Sequence, residues 1–208
     1  MYMIQKYFPG LNSLQREQLL RFTQEISVWN NRINLVSRKD IGHLEERHIL
    51  HSLGIAAVHP FPESCKVLDV GTGGGFPGIP LAILFPLVRF TLIDSIGKKV
   101  NAVREISASL GLLNVEVRQV RAEMLEGKFH YIVSRAVTGL DRFTGWVKGN
   151  MLEPGPDFPG NGILYLKGGD LTGELKSYPL ARVYNLDQYF SDSFFKTKKL
   201  VYLPFKAL

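Results

Sequence analysis

The sequence predicts an α/β fold built on a mostly parallel sheet, with helices in front of it and an antiparallel hairpin at its end. Three observations carry this. The apolar strand Val67-Leu68-Asp69-Val70 runs into the glycine-crowded turn Gly71-Thr72-Gly73-Gly74-Gly75-Phe76-Pro77-Gly78 and then into Ile79–Phe85, which reads as a helix. From there to Leu166, short apolar strands alternate with helix-like stretches. Before residue 60 the pattern is helical alone. With 208 residues, 45% hydrophobic and 21% charged, the chain is long enough for one domain with a proper core. We expect residues 1–60 to form a helical extension packed on a core of residues 61–208, the two making a single compact unit.

In chain order, Asn12 or Ser13 can cap a first helix. Its Leu19, Phe22, Ile26, Trp29 and Ile33 recur at steps of three and four and give one apolar face. Asn30, Asn31 and Asn34 break that pattern and suggest a turn. A second helix is expected from near Asp40 through Ile41, Leu44, His48 and Ile55. Arg38, Lys39, Arg47 and His48 lie along this stretch. A solvated face with a buried or capping histidine accounts for them as well as an RNA contact does. His59-Pro60-Phe61-Pro62 marks the boundary before the first strand.

The glycine turn can be read in two registers. Gly73, Gly75 and Gly78 fit G-x-G-x-x-G, the dinucleotide fingerprint. Asp69, Gly71, Gly73 and Gly75 fit acid-x-G-x-G-x-G, the pattern of methyltransferases that use S-adenosylmethionine (SAM). The second register also uses Asp69, whose carboxylate at a strand end suits a ligand with an amino group. In both, the N–H groups at the start of the following helix are expected to face the turn and offer a positive end. Pro77 and Pro80 suit such a position.

The second strand, Arg89–Ile93, ends at Asp94. An acid at that tip is where a ribose diol is held, and it can equally cap the helix opened by Gly97-Lys98-Lys99. Val115–Arg118 is the third strand. The loop after it passes the adenine side of a cofactor, which makes Ala122 and Glu123 candidates. Tyr131–Val133 is the fourth strand, closed by Ser134-Arg135-Ala136. Arg135 sits at the sheet edge where open α/β sheets hold ligands, with a structural ion pair as the alternative. A helix is expected over Leu140–Met151, a proline- and glycine-rich loop over 153–162, and a fifth strand over Ile163–Leu166, ending at Lys167-Gly168-Gly169. Two more β-like runs, Ala181–Tyr184 and Leu200–Leu203, suggest a hairpin turning at Lys196-Thr197-Lys198-Lys199. A late antiparallel pair suits a methyltransferase sheet better than a simple dinucleotide domain.

The net charge of +6 permits an anionic partner such as nucleic acid without requiring one. Cys65 is the one cysteine, so an internal disulfide is impossible and a reducing, cytoplasmic compartment fits. No signal pattern, membrane span or metal-ligand cluster is legible.

Taken together, these blocks resemble the RsmG (GidB) family, bacterial methyltransferases that make 7-methylguanosine in small-subunit (16S) ribosomal RNA. The resemblance spans nearly the whole length. It rests on Trp29-Asn30 with Asn34-Leu35, Arg47-His48-Ile49-Leu50 with Ser52-Leu53, Asp69 through Pro80, Leu92-Ile93-Asp94-Ser95 with Gly97-Lys98-Lys99, Ser134-Arg135-Ala136 and Leu166-Lys167-Gly168. It implies a Rossmann-like class I SAM-dependent methyltransferase fold, with SAM contact at Gly71, Phe76, Ala122, Glu123 and Arg135. The chain departs from the family pattern at His51, where the family has Asp, and in the long 153–162 loop.

The expected chemistry fits this. Guanine N7 has a free lone pair and no proton to remove, so positioning supplies most of the catalysis and no general base is assigned. The chain has neither the Asn-Pro-Pro-Tyr block of exocyclic-amine methylation nor a cysteine after the fourth strand. Arg135 and Lys167 are the positioning candidates. Arg38, Lys39, Arg47, His48, Lys98 and Lys99 are the RNA-binding candidates, and no obligate protein partner is expected. An NAD-dependent oxidoreductase, a methyltransferase acting on another RNA or a small molecule, and a non-catalytic RNA-binding factor remain as alternatives.

Overall fold

The computed structural model describes residues 2–135, 137–158 and 160–208. Ala136 of the Ser134-Arg135-Ala136 block and Pro159 of the 153–162 loop lie outside the described residues. Seven strands form one sheet: β1 (Lys66–Val70), β2 (Arg89–Asp94), β3 (Val115–Gln119), β4 (Tyr131–Arg135), β5 (Gly162–Gly168), β6 (Arg182–Asn185) and β7 (Lys198–Pro204), in the order β3-β2-β1-β4-β5-β7-β6. The first five run parallel. β7 lies antiparallel between β5 and β6. The order reverses between β1 and β4, so the crevice for a ligand opens beyond the carboxyl ends of those strands.

The period-two pleat sends alternate side chains to opposite faces. Val67, Tyr131, Val133, Leu164, Leu166, Leu200 and Tyr202 enter one core cluster. Leu68, Val70, Ile132, Ile163, Tyr165, Val201 and Leu203 enter the other. The first cluster takes the buried faces of α1 (Tyr2–Tyr7), α2 (Ser13–Asn30), α3 (His51–Val58), α4 (Gly78–Leu84) and α5 (Gly97–Ser109). The second takes Leu140, Phe143 and Val147 of α6 (Leu140–Val147). Asn12 caps α2 as expected, accepting from the Gln15 N–H while Gln15 reaches back to the Asn12 N–H.

Three expectations need correction. Ile33 lies beyond the end of α2, because Asn30 turns its side-chain oxygen onto the N–H groups of Leu35 and Val36 and closes the helix. The helix expected over Leu140–Met151 stops at Val147. A 3-10 turn follows, and Met151 bridges Phe129. The hairpin turn at 196–199 does not form: Lys198 and Lys199 begin β7, paired with Gly168 and Lys167. Residues 186–197 instead make the connection and bury Leu186, Phe190 and Phe195. Three large apolar side chains in that stretch outweigh the turn chemistry of a charged run.

Candidate functional site

The glycine turn is held from beneath. Gly71, Gly73 and Gly75 have φ of +71°, +58° and +91°, the left-handed region where a side chain strains the backbone. The N–H groups of Gly71 and Thr72 donate to the Ile93 carbonyl at 2.9 and 3.0 Å, which ties the turn to β2. Asp69 points into the helix-covered face and is fully enclosed. Its Oδ2 accepts from the Thr72 hydroxyl at 2.7 Å and the Gly78 N–H at 2.9 Å. Its Oδ1 is buried without a hydrogen-bond partner among the described residues. Burial pushes this carboxyl up to about 7, against the hydrogen bonds from Thr72 and Gly78 and the Arg135 cation. The structure therefore uses Asp69 to bind the turn to the first residue of α4 and does not present it on the surface.

The same geometry corrects the expected positive helix end. The Gly78 N–H is taken by Asp69, the Ile79 N–H by the Gly75 carbonyl and the Leu81 N–H by the Pro77 carbonyl, while Pro80 has none. The start of α4 leaves no N–H for a diphosphate, which removes the physical basis of the dinucleotide register.

In front of the turn lies a cavity of about 270 Å³. It brings together Gly71, Asp94, Lys99, Ala122 and Glu123 from the expected set, with Ile96, Val120, Val137 and Trp146 as apolar walls. Asp94 accepts from the Gly73 N–H at 3.0 Å and from the Ile96 N–H at 2.9 Å, so it sets both the turn and the entry to α5. Each of its oxygens keeps a free acceptor lone pair. Val137 covers Gly71 closely: a Cβ built on Gly71 would sit 2.6 Å from Val137 Cγ2. The 137–138 backbone is fixed in turn by β5, with the N–H groups of Val137 and Thr138 donating to the Tyr165 hydroxyl.

Behind the turn, Arg135 joins three elements. Its guanidinium donates to the Arg47 carbonyl at 3.1 Å, meets His48 Nδ1 at 2.9 Å and lies 5.1 Å from the centre of the Phe76 ring. Phe76 is buried between Phe22 and His48, with both ring centres 5.1 Å away. Burial, with Asp69 and Asp40 opposing it, lowers Arg135 to about 10. Burial, with Arg135 adding to it, lowers His48 to about 3 and keeps it neutral, so Nδ1 accepts. The carbonyl of Arg47 is presented by a π-helical segment, Glu45–Leu50, that precedes α3.

Several charged candidates are thus occupied. His48 is buried against Arg135 as a neutral ring. Arg47 pairs with Asp40 at 2.9 Å. Lys167 donates to Glu174 at 2.7 Å and to the Thr138 carbonyl at 2.9 Å, so its ammonium fixes the loop over Gly71 and is not held out to a ligand. His51 is enclosed edge-on to Phe194, 5.5 Å between ring centres, and burial holds it well below the ordinary histidine range. Arg38, Lys39 and Lys98 are exposed. Arg38 and Lys98 share a second, polar cavity, and Lys39 lines neither.

Trp146, Val137 and Ile96 escaped the sequence reading. Trp146 follows Phe143 at helical spacing on α6, a signal that reads as core; nothing local marks the other two. A cavity of about 400 Å³ lies at the amino edge of the sheet among Lys66, Arg89, Glu116 and Lys128. It is larger but sits at the wrong end of the strands for a ligand in this topology. Burial pushes the Cys65 thiol up to about 12, leaving it inert. Among the described residues no cluster of His, Cys, Asp and Glu could hold a metal, and no helix is long and apolar enough to cross a membrane.

Comparison with known proteins agrees with this fold. Residues 15–198 match the family model described as GidB, rRNA small subunit methyltransferase G. The chain is 54% identical over 203 residues to the ribosomal RNA small subunit methyltransferase G of Flavobacterium johnsoniae, covering 98% of this chain and 97% of that one. It is 46% identical to the protein of the same name from Phocaeicola vulgatus, over the full length of both. Among solved structures it resembles a SAM-dependent methyltransferase from Aquifex aeolicus, with TM-score 0.53, 19% identity, and coverage of 80% of this chain and 97% of that one. It also resembles the ribosomal protein L11 methylase of Lactobacillus delbrueckii, with TM-score 0.54, 16% identity and coverage of 74% and 76%. At such identities these two structures speak for the fold.

Proposed function

The chain belongs to the family of rRNA small subunit methyltransferase G (GidB), a family of SAM-dependent enzymes, and from that membership we propose the finer reading: it methylates N7 of a guanine in 16S ribosomal RNA. The observation that carries the site is the cavity between the glycine turn and the loop after β3, with the Asp94 carboxylate at its edge. Apolar walls from Ile96, Val120 and Val137 suit a purine, and the free lone pairs of Asp94 suit a ribose diol, so the residues present fit an adenosyl group. In this reading Gly71, Gly73 and Gly75 let the backbone approach the cofactor, Asp94 takes the ribose, and Ala122 and Glu123 flank the adenine. Asp69, Phe76 and Arg135 act from behind by holding the turn.

When bound, SAM supplies a methyl group on a positively charged sulfur. The protein's task is to orient that methyl and the guanine in line, exclude water and hold the RNA, since N7 attacks through a lone pair and releases no proton. Lys167 and Tyr165 contribute by fixing residues 137 and 138 over Gly71. The reading carries with it a cytoplasmic location and no obligate protein partner.

The test is transfer of labelled methyl from SAM to small subunits from a strain lacking this protein, followed by nucleoside mass spectrometry. Label in 7-methylguanosine is expected. Label in another nucleoside would overturn the N7 assignment, and no label in RNA would overturn the substrate.

A further inference from the structure

The second cavity has a volume of about 530 Å³ and is lined by Asn30, Asn31, Ile33, Asn34 and Ile41 together with Arg32, Arg38 and Lys98. It lies where the loop after α2 meets the start of α5. No carboxylate lines it among the described residues. Arg32 lies over the Trp29 ring at 5.4 Å, a contact that holds a guanidinium without neutralising it. Asn31, Arg32, Asn34, Arg38 and Lys98 are all exposed, so the cations and amides are free to meet a ligand.

The position relative to the cofactor cavity is fixed by two contacts. Lys98 and Lys99 are consecutive in the first turn of α5, yet Lys98 lines the polar cavity and Lys99 the cavity holding Asp94. The start of α5 is therefore the wall between the two. The loop is also packed on the glycine turn itself, since a Cβ built on Gly74 would sit 3.2 Å from Leu35 Cβ. A ligand in the polar cavity would be adjacent to one in the cofactor cavity, on the same edge of the sheet.

We propose that this cavity is a subsite for the RNA strand next to the methylated base, with Arg32, Arg38 and Lys98 holding backbone phosphates and the amides of Asn31 and Asn34 meeting ribose hydroxyls or base edges. The inference rests on the RNA reading above and adds to it a location and three residues, Asn31, Arg32 and Asn34, that belong to no other part of the site. Three cations converge in one concave, acid-free place, whereas Arg47, Arg135 and Lys167 are already paired or bonded elsewhere. Phosphates held by side chains of this kind give binding that falls with salt. The asparagines supply donors and acceptors that phosphate alone would not need.

The test compares the triple variant Arg32→Gln, Arg38→Gln, Lys98→Gln with a control triple at the opposite edge of the sheet, Lys66→Gln, Arg89→Gln, Lys128→Gln. SAM affinity by calorimetry reports the cofactor cavity. Filter binding of undermethylated 16S rRNA across a salt series reports the RNA. The cavity triple is expected to keep wild-type SAM affinity, to bind RNA at least tenfold more weakly at 0.1 M salt, and to lose about two units of salt slope. The control triple, with the same change in charge, should lose much less. Equal losses in the two triples, or an unchanged slope in the cavity triple, would overturn the subsite. Wild-type protein that binds SAM but neither binds nor methylates this RNA would overturn the RNA reading and the subsite with it. Loss of SAM affinity in the cavity triple would also count against the subsite, since its residues would then serve the cofactor.

Discussion

Asp69 and Asp94 lie at the carboxyl ends of neighbouring strands, one residue before the end of β1 and at the end of β2, and both contact the glycine turn, but their surroundings differ. Asp69 lies behind the turn, enclosed with Phe76, His48 and Arg135, and its hydrogen bonds go to the turn and α4. Asp94 lies in front and lines a cavity with Ala122, Glu123 and Lys99. The cations divide in the same way. Arg135 and Lys167, at the tips of β4 and β5, are bonded to the protein, whereas Arg38 and Lys98 are exposed in an open cavity. The comparison teaches that the region behind the turn is a bonded polar framework and the region in front is the open surface proposed for binding. Polar residues at one sheet edge do not share one role.

The contrast is most directly broken at Arg135. Arg135→Met would leave His48 Nδ1 unpaired and take one of its donors from the Arg47 carbonyl in a buried setting, and we expect a loss of about 2 kcal/mol in urea unfolding. A loss under about 0.5 kcal/mol would place Arg135 with the open cations. Asp69 gives the next largest effect, through pH. Its folded value of about 7 lies above the ordinary carboxylate range, so the folded chain holds a proton that the unfolded chain has released. That contribution is complete below about pH 4 and is lost as pH rises towards 7. Denaturation of wild type and Asp69→Asn from pH 5 to 7 should show the wild type losing about 1 kcal/mol per pH unit relative to the variant. His48 works in the opposite direction, its stability being lost as pH falls below 6.5, and it is common to both proteins. Parallel curves would show that Asp69 does not titrate.

Smaller effects sharpen the comparison. Lys167→Met should cost about 1 kcal/mol, because Lys167 is nearly enclosed but its partner Glu174 is more than a third exposed and screened by water. Lys98→Gln should change stability by less than about 0.5 kcal/mol and lower the salt slope of RNA binding by about one. If Lys98→Gln destabilised the fold as much as Lys167→Met, the division between framework and binding surface would fail.

Much of this was legible in the chain. The strand, glycine turn and helix from Val67 to Phe85 are local, written in hydrophobic period and in glycines that the backbone needs at positive φ. Asp94 was placed by its position at the end of the second strand. The hairpin turn was misread because Lys196-Thr197-Lys198-Lys199 looks like a turn by itself, while the pairing of Lys198 and Lys199 with β5 lies outside any local window. The RNA-binding candidates Arg38, Lys39, Arg47, His48, Lys98 and Lys99 were read as one class for the same reason. Charge and spacing show that a lysine or arginine is present, and they do not show what it meets.

By itself, then, the sequence determined the α/β class, the glycine turn between the first strand and its helix, the acid at the tip of β2 and a family resemblance that the comparisons bear out. Tertiary structure alone decided which charges are open. Arg135 meets His48 across 87 positions of sequence and Phe76 behind the glycine turn, and Lys167 reaches back to Thr138 on another element. The first set depends on contacts between near neighbours, which a local pattern encodes. The second depends on long-range partners and on the burial they produce, which exist only once the sheet and its helices have come together.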